Sequence, residues 1–146
     1  ELLLDNAAKK ELRVLFVFVQ DLGGLFGQAR VQQAAQQLEL LVFVGTNMNP
    51  TAQLAHVALP SAVYAEQDGT FTNFEGRVQR INAALAPLGE SKPEWQIFSE
   101  LSEQLNLGLA FADPQTVFAD LAKIEKPFQG LTYQRIGDQG QLLNVH

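Results

Sequence analysis

Two short apolar runs, LRVLFVFV at 12–19 and LELLVFVG at 38–45, limit what this chain can fold into more than any other feature. Each carries one charge near its start, Arg13 or Glu39, and each runs into a loop containing glycine. Runs of this length, rich in Val and Phe, suit strands covered on both faces, and neither approaches the ~20 residues a bilayer span needs. Phe16, Phe18, Phe43 and, further on, Phe71 read as core. Between the runs, QARVQQAAQQLEL sets Val31, Ala34, Ala35 and Leu38 on one helical stripe, with glutamines around the rest. TAQLAH then predicts one or two helical turns before a third apolar piece, VALP at 57–60. Strand, helix, strand, helix, strand predicts parallel strands joined by right-handed crossovers, an α/β fold of Rossmann-like type. Ligands in such sheets sit at the C-terminal ends of the strands, which here are a flexible glycine loop at 20–27 and the loop at 45–50.

The remaining segments flank that sheet. ELLLDNAAKKEL predicts a short opening helix with Leu4, Ala8 and Leu12 on one face, Asp5 near its start and Lys9 and Lys10 near its end. DGTFTN and FEGRVQRI predict two short extended pieces with turns at Asp68-Gly69 and at Gly76. SKPEWQIFSELSEQLNLG predicts a helix with a capping box from Ser91 to Glu94, Pro93 in its first turn, a face of Ile97, Leu101 and Leu105, and Gly108 as its stop. A last helix from Asp113-Pro114 is expected to bury Val117, Phe118 and Leu121 and to stop before Lys126-Pro127. The tail to His146 is irregular, with two short strands. At 146 residues this is the size of one domain, in four parts: strand and helix units at 1–62, a turn or hairpin segment at 63–82, two helices at 91–125 and the tail at 126–146. The chain opens with Glu1 and no leader pattern, and reads as a soluble piece of something longer.

Composition removes several kinds of chemistry. Charged residues make up only 18% and the net charge is −6, so no electrostatic term favours nucleic acid or an anionic membrane surface. There is no cysteine, which excludes disulfides, thiolate metal sites and a thiol nucleophile in this segment. His56 and His146 stand far apart, so no histidine metal site is expected. Ser61 lies near His56, but no nucleophile-elbow motif places it, and an isolated rim or interior histidine is the ordinary reading. Glu66, Asp68 and Glu75 offer carboxylates for a hydrolase, with turn or surface acids as the plainer reading. Gly23-Gly24 and Gly27 have neither dinucleotide-loop spacing nor a Walker lysine. No residue from 40 to 65 is charged, which fits either two buried strands or a surface covered by another part of a larger protein.

The stretch LPSAVYAEQDGTFTNFEGRVQR at 59–80 is denser in turn formers and specific polar groups than a plain hairpin needs. It resembles the signature near the end of the molybdopterin oxidoreductase domain, where an apolar strand leads into E-x-x-G-T-F-T-N-x-E-G-R-V-Q. The resemblance continues through Pro87-Leu88-Gly89-Glu90 and Pro93-Glu94-Trp95, covers 54–106 well, and is weaker in the two preceding strand units. The Glu75-Gly76-Arg77 form is similar to that of the large peripheral-arm subunits of bacterial NADH-quinone oxidoreductases, whereas formate dehydrogenases tend to have arginine at position 76. That likeness implies a structural piece with no catalytic residue, metal or cofactor of its own, and a parent with iron–sulfur clusters that passes electrons from NADH to quinone. Its partners would be the rest of its own polypeptide and other peripheral-arm subunits of complex I, on the cytoplasmic side of the bacterial inner membrane, without direct membrane insertion or nucleic acid. The other implication is a cofactor-binding module of a molybdenum or tungsten enzyme of formate dehydrogenase type. Gln20, Asp21, Gly45, Asn47, Asn73 and Arg77 would then contact a molybdopterin guanine dinucleotide. The sequence departs from the family pattern at Gly45-Thr46-Asn47, at Asn49-Pro50-Thr51 and at His56, where an aspartate is usual.

Overall fold

The computed structural model describes residues 2–144, so His146 lies outside the described residues. These residues divide into two compact units, one ending at Ser61 and one beginning at Ala62.

The first unit runs α1 (Leu2–Ala8), β1 (Val14–Phe18), α2 (Leu22–Phe26), α3 (Gln28–Ala35), β2 (Leu40–Gly45), α4 (Pro50–Leu54) and β3 (Val57–Pro60). Its three strands form a parallel sheet in the order β1-β2-β3, as the alternation of apolar runs and helical stripes predicts. Val17 pairs with Phe43, and Phe43 with Ala58, which fixes the register across all three strands. Because side chains alternate across a sheet, Val17, Leu41 and Phe43 share one face. They form a buried core with Leu4 and Ala7 of α1, and with Val31, Ala34 and Ala35 of α3. The two charges that open the apolar runs meet: Arg13 Nε and Nη2 donate to Glu39 Oε1 and Oε2, each at 2.7 Å, at the start of β1 and β2.

Only the middle strand has the expected cover. Leu41 through Gly45 are buried, but Val14 and Phe16 on β1 are 44% and 37% exposed, and Val57, Ala58 and Pro60 on β3 are exposed. In a sheet of three strands two must be edges, and an apolar run cannot reveal which position it takes. Within the charge-free interval, Met48, Val57 and Tyr64 present apolar surface. The opening helix is shorter than its spacing suggests. Lys10 takes φ +62°, so Leu12 leaves the helix, and Leu4 and Ala7 rather than Ala8 form the buried face.

The second unit holds β4 (Gly69–Thr72), β5 (Arg77–Ile81), α5 (Glu94–Gln104), α6 (Pro114–Ile124), α7 (Tyr133–Ile136) and β6 (Gln141–Leu142). β4, β5 and β6 make an antiparallel sheet with β5 in the middle. Val78, Phe118, Leu131, Tyr133 and Ile136 form its core, with the Phe118 ring 6.0 Å from Phe128 and 5.7 Å from Tyr133. Among the described residues the tail supplies a 3-10 turn at Lys126–Phe128, one short α-helix and one short strand instead of two strands. Phe71 is 53% exposed on the edge strand β4 and is not core.

Two helix details depart from the sequence reading. The Ser91 capping box does not form, because α5 begins at Glu94 with Pro93 at its N-cap, so Glu94 is the first helical residue and not the third. Ser91 Oγ instead donates to Leu88 O at 2.8 Å. The buried positions of α5 are Ser99 and Ser102, while Ile97 and Leu101 are half-buried and Leu105 is exposed. Those hydroxyls accept from Phe111 N and Leu109 N and fasten the chain after Gly108 back onto the helix. α6 starts as predicted, with Asp113 Oδ1 accepting from Thr116 N at 2.7 Å. It buries Phe118, leaves Val117 half-buried and exposes Leu121. Among the described residues no helix is long and apolar enough to cross a membrane.

Candidate functional site

The C-terminal ends of β1 and β2 are shaped by two helix caps. Val19 N still donates to Val44 O at 2.8 Å, and the chain then turns at Val19 with φ +60°. A β-branched residue rarely adopts that conformation. The turn sets Asp21 at the N-cap of α2, where Oδ1 accepts from Gly23 N at 3.0 Å. The segment expected to be a flexible glycine loop is therefore a one-turn helix containing Gly23 and Gly24, closed at Gly27 with φ +89°. An aspartate N-cap stabilises a helix start by about 1 kcal/mol, which offsets about half of the poor helix propensity of the two glycines.

The loop after β2 is built the same way. Asn49 caps α4, its Oδ1 accepting from Ala52 N at 2.9 Å, with Pro50 in the first turn. Two side chains then tie the loops together. Asn49 Nδ2 donates to Val19 O at 3.5 Å. Thr51, fully buried, accepts from Leu22 N at 2.8 Å and donates to Asp21 Oδ1 at 3.2 Å. In the sequence, Asn49-Pro50-Thr51 reads only as a departure from a family pattern. The Asn-Pro pair is itself a cap signal, but nothing in the sequence shows that Thr51 reaches Leu22.

Beside these caps an open cavity of about 180 Å³ lies between the end of β2 and β3, lined by residues including Phe43, Gly45, Thr46, Asn47, Met48 and Pro60. Gln20, Asp21, Gly45 and Asn47 thus belong to one strand-end region of the first unit, with Gln20 and Asn47 exposed. Asn73 and Arg77 belong to the other unit. Asn73 Oδ1 accepts from Glu75 N at 3.0 Å and from Arg77 N at 2.9 Å, which forms the β4–β5 turn, with Gly76 at φ +77°. Arg77 Nη1 points to the carbonyls of Gln139 and Gly140, each at 3.5 Å.

The alternative chemistries separate on geometry. His56 Nδ1 accepts from Leu41 N at 2.8 Å and its backbone N–H donates to Leu41 O at 2.9 Å, so it closes the start of β3. Ser61 stands beyond the other end of that strand, about 16 Å away at ~3.3 Å per residue, too far for a nucleophile and base. Glu66 Oε2 accepts from Val63 N and Asp68 Oδ1 from Ala83 N, while Glu75 sits in the turn at the far end of the hairpin from Asp68. Among the described residues no group of three or more His, Asp or Glu is placed to hold a metal ion.

A guanine dinucleotide can be weighed against the strand-end region. The cavity suits a flat base, with Phe43, Met48 and Pro60 as apolar walls and the Thr46 and Asn47 side chains as polar contacts. The diphosphate is served less well. The segments 20–27 and 45–50 contain Asp21 and no Lys or Arg, which leaves only uncharged donors, backbone N–H groups and side chains such as Gln20 and Thr46, for its charge.

Residues 2–104 match the molybdopterin oxidoreductase family. The chain is 39% identical over 112 residues to the F420-dependent formate dehydrogenase 1 subunit alpha of Methanococcus maripaludis, covering 75% of this chain and 17% of that protein. It is 32% identical over 135 residues to the Bacillus subtilis protein named "Probable oxidoreductase YjgC", covering 92% of this chain and 14% of the other. The match therefore spans about one seventh to one sixth of the length of these curated relatives. Among solved structures, acetylene hydratase from Pelobacter acetylenicus has the same fold, with a TM-score of 0.66 at 24% identity over 80% of this chain and 17% of that one. The names of these relatives are formate dehydrogenase and oxidoreductase rather than NADH-quinone oxidoreductase.

Proposed function

The chain belongs to the molybdopterin oxidoreductase family, and from that premise we propose that it is the cofactor-facing module of a molybdenum or tungsten enzyme of formate dehydrogenase type. The observation that carries this reading is the pair of strand-end loops, held in register by Thr51 and Asn49 beside a base-sized cavity. Identity to a named formate dehydrogenase over 75% of the chain supports it further. Gly45, Thr46 and Asn47 would hold the base of a molybdopterin guanine dinucleotide, with the Asn47 amide as a donor and acceptor for its edge. Gln20, beside Asp21, would contribute a second amide. When bound, the group supplies the redox chemistry at its metal. This chain supplies position, since the Asp21 and Asn49 caps fix both loops. Asn47→Ala in the intact enzyme should lower the guanine nucleotide it retains, and unchanged retention would remove Asn47 from the site.

A second reading is favoured by Gly76 and by the missing cations. Position 76 takes φ +77°, where glycine is strongly preferred, and the Glu75-Gly76-Arg77 form is the one resembling the large peripheral-arm subunit of NADH-quinone oxidoreductase. Under this reading the module is structural, packs against the rest of its own polypeptide and neighbouring peripheral-arm subunits, and leaves the strand-end cavity without a cofactor. The residues preceding this chain separate the two readings. A cysteine or selenocysteine ligand to the metal supports the formate dehydrogenase type, and a ferredoxin-like cysteine set without such a ligand supports the NADH-quinone oxidoreductase.

A further inference from the structure

A second concave site lies wholly within the unit that begins at Ala62. Two adjoining cavities, of about 250 and 200 Å³, share Asp68, Ile81, Pro114 and Tyr133 in their walls. The larger is lined by Phe71, Trp95 and Leu121 with Glu94 beside them, and the smaller adds Arg80 and Asp113. One end is therefore mainly apolar and aromatic, with the Glu94 carboxylate at its wall, and the other is charged.

The charged end is arranged for a cation. Asp68 Oδ1 is held by Ala83 N at 2.8 Å, and Asp113 Oδ1 by Thr116 N at 2.7 Å. These backbone donors fix both carboxylates, and neither Oδ2 makes a hydrogen bond among the described residues. Among those residues Arg80 is the only basic one lining either cavity, and its guanidinium carbon lies 5.0 Å over the Tyr133 ring. That stacking shows the ring facing a positive charge. Two fixed carboxylates against one stacked guanidinium leave the charged end negative.

We propose that this groove binds a small organic ammonium ion, its charge between Asp68 and Asp113 and its aromatic or branched alkyl body against Phe71, Trp95 and Leu121. An anionic ligand of the same shape is opposed by the two carboxylates, and a fully apolar one gains nothing from them. None of these residues belongs to the strand-end region at β1 and β2, so the two sites stand or fall separately.

Trp95 is the only tryptophan, so its emission reports the apolar end of the groove directly. Titration of the 146-residue chain with phenethylamine hydrochloride at constant ionic strength should give a saturable change with a dissociation constant on the order of 1 mM. The anionic isostere 3-phenylpropanoate should give none. Asp68→Asn and Asp113→Asn keep the oxygen that accepts from the backbone and should each weaken amine binding at least about fivefold, with unchanged circular dichroism. Glu75→Gln, outside the groove, should leave it as it was. An equal response to the amine and the acid, no saturable response to the amine, or full affinity in both aspartate variants would overturn the proposal.

Discussion

Asp21 and Thr51, thirty residues apart in sequence, meet at 3.2 Å, where the Thr51 hydroxyl donates to Asp21 Oδ1 while accepting from Leu22 N at 2.8 Å. One buried hydroxyl thereby joins the cap of α2 to the first turn of α4. The ends of two parallel strands are held as one surface, which is the arrangement a ligand at those ends requires.

Replacing Thr51 by Val keeps the shape and removes the hydroxyl, leaving the Leu22 N–H without its acceptor. A buried group left in that state costs about 1–3 kcal/mol, so Thr51→Val should destabilise the chain by about 2 kcal/mol. Thr51→Ser keeps the hydroxyl and should recover most of the loss. Urea unfolding followed by circular dichroism measures both, and equal stability of Thr51→Val and wild type would show that the bridge carries no energy.

Gly140 sits at φ +73°, where an added Cβ would lie 2.7 Å from the backbone oxygen of Val78. β5 pairs on both sides and cannot give way, so Gly140→Ala should cost at least about 2 kcal/mol. Gly89, at φ +61° with open space around it, should cost less on the same substitution. The comparison separates the contact from the backbone strain, because only Gly140 suffers both.

Three exposed carboxylates are held below their ordinary range by hydrogen-bonding partners: Asp5 by Arg30, Glu39 by Arg13, and Glu100 by Lys92 and then Gln96. A lowered folded value means stability that is present above the ordinary carboxylate pKa, near 4, and lost as pH falls through the folded value. The urea midpoint should therefore decline below about pH 4, and less steeply in Glu39→Gln. Because the Arg13–Glu39 pair is solvent-exposed, added salt should narrow the difference between the variant and wild type.

Burial raises the Tyr133 phenol, Arg80 works against the shift, and Asp68 and Asp113 add to it. A raised folded value means stability that is complete below the ordinary tyrosine pKa, near 10, and lost as pH rises through the folded value. The same hydroxyl is buried without a hydrogen-bond partner among the described residues. Tyr133→Phe should thus stabilise the chain by about 1 kcal/mol at neutral pH and flatten its alkaline limb. Destabilisation at neutral pH would instead mean that the hydroxyl has a bound partner, such as an ordered water.

Local pattern made much of this fold legible. The stripe of Val31, Ala34 and Ala35, the strands within the apolar runs and the Asp113-Pro114 start all depend on residues near in sequence, and all form, although Leu38 lies past the end of α3 and only β2 is covered as expected. What escaped depends on long-range placement. Phe16 and Phe71 are apolar enough for a core, but each sits on an edge strand. Ser99 and Ser102 displace the leucines from the buried face of α5 because the chain returns from Gly108 to bond their hydroxyls. The strand-end region follows from topology, and four of the six candidate contacts fall in it. Asn73 and Arg77 rest on motif alone, and the structure gives them bonds that build their own hairpin.

The central claim is that this module faces a guanine-dinucleotide pterin in its parent enzyme. Elemental analysis of the intact protein containing this chain, combined with assay of the GMP released by acid hydrolysis, tests it most directly. The expected result is molybdenum or tungsten in stoichiometric amount together with GMP. Iron with neither molybdenum, tungsten nor GMP would contradict the claim and favour the structural role in an NADH-quinone oxidoreductase.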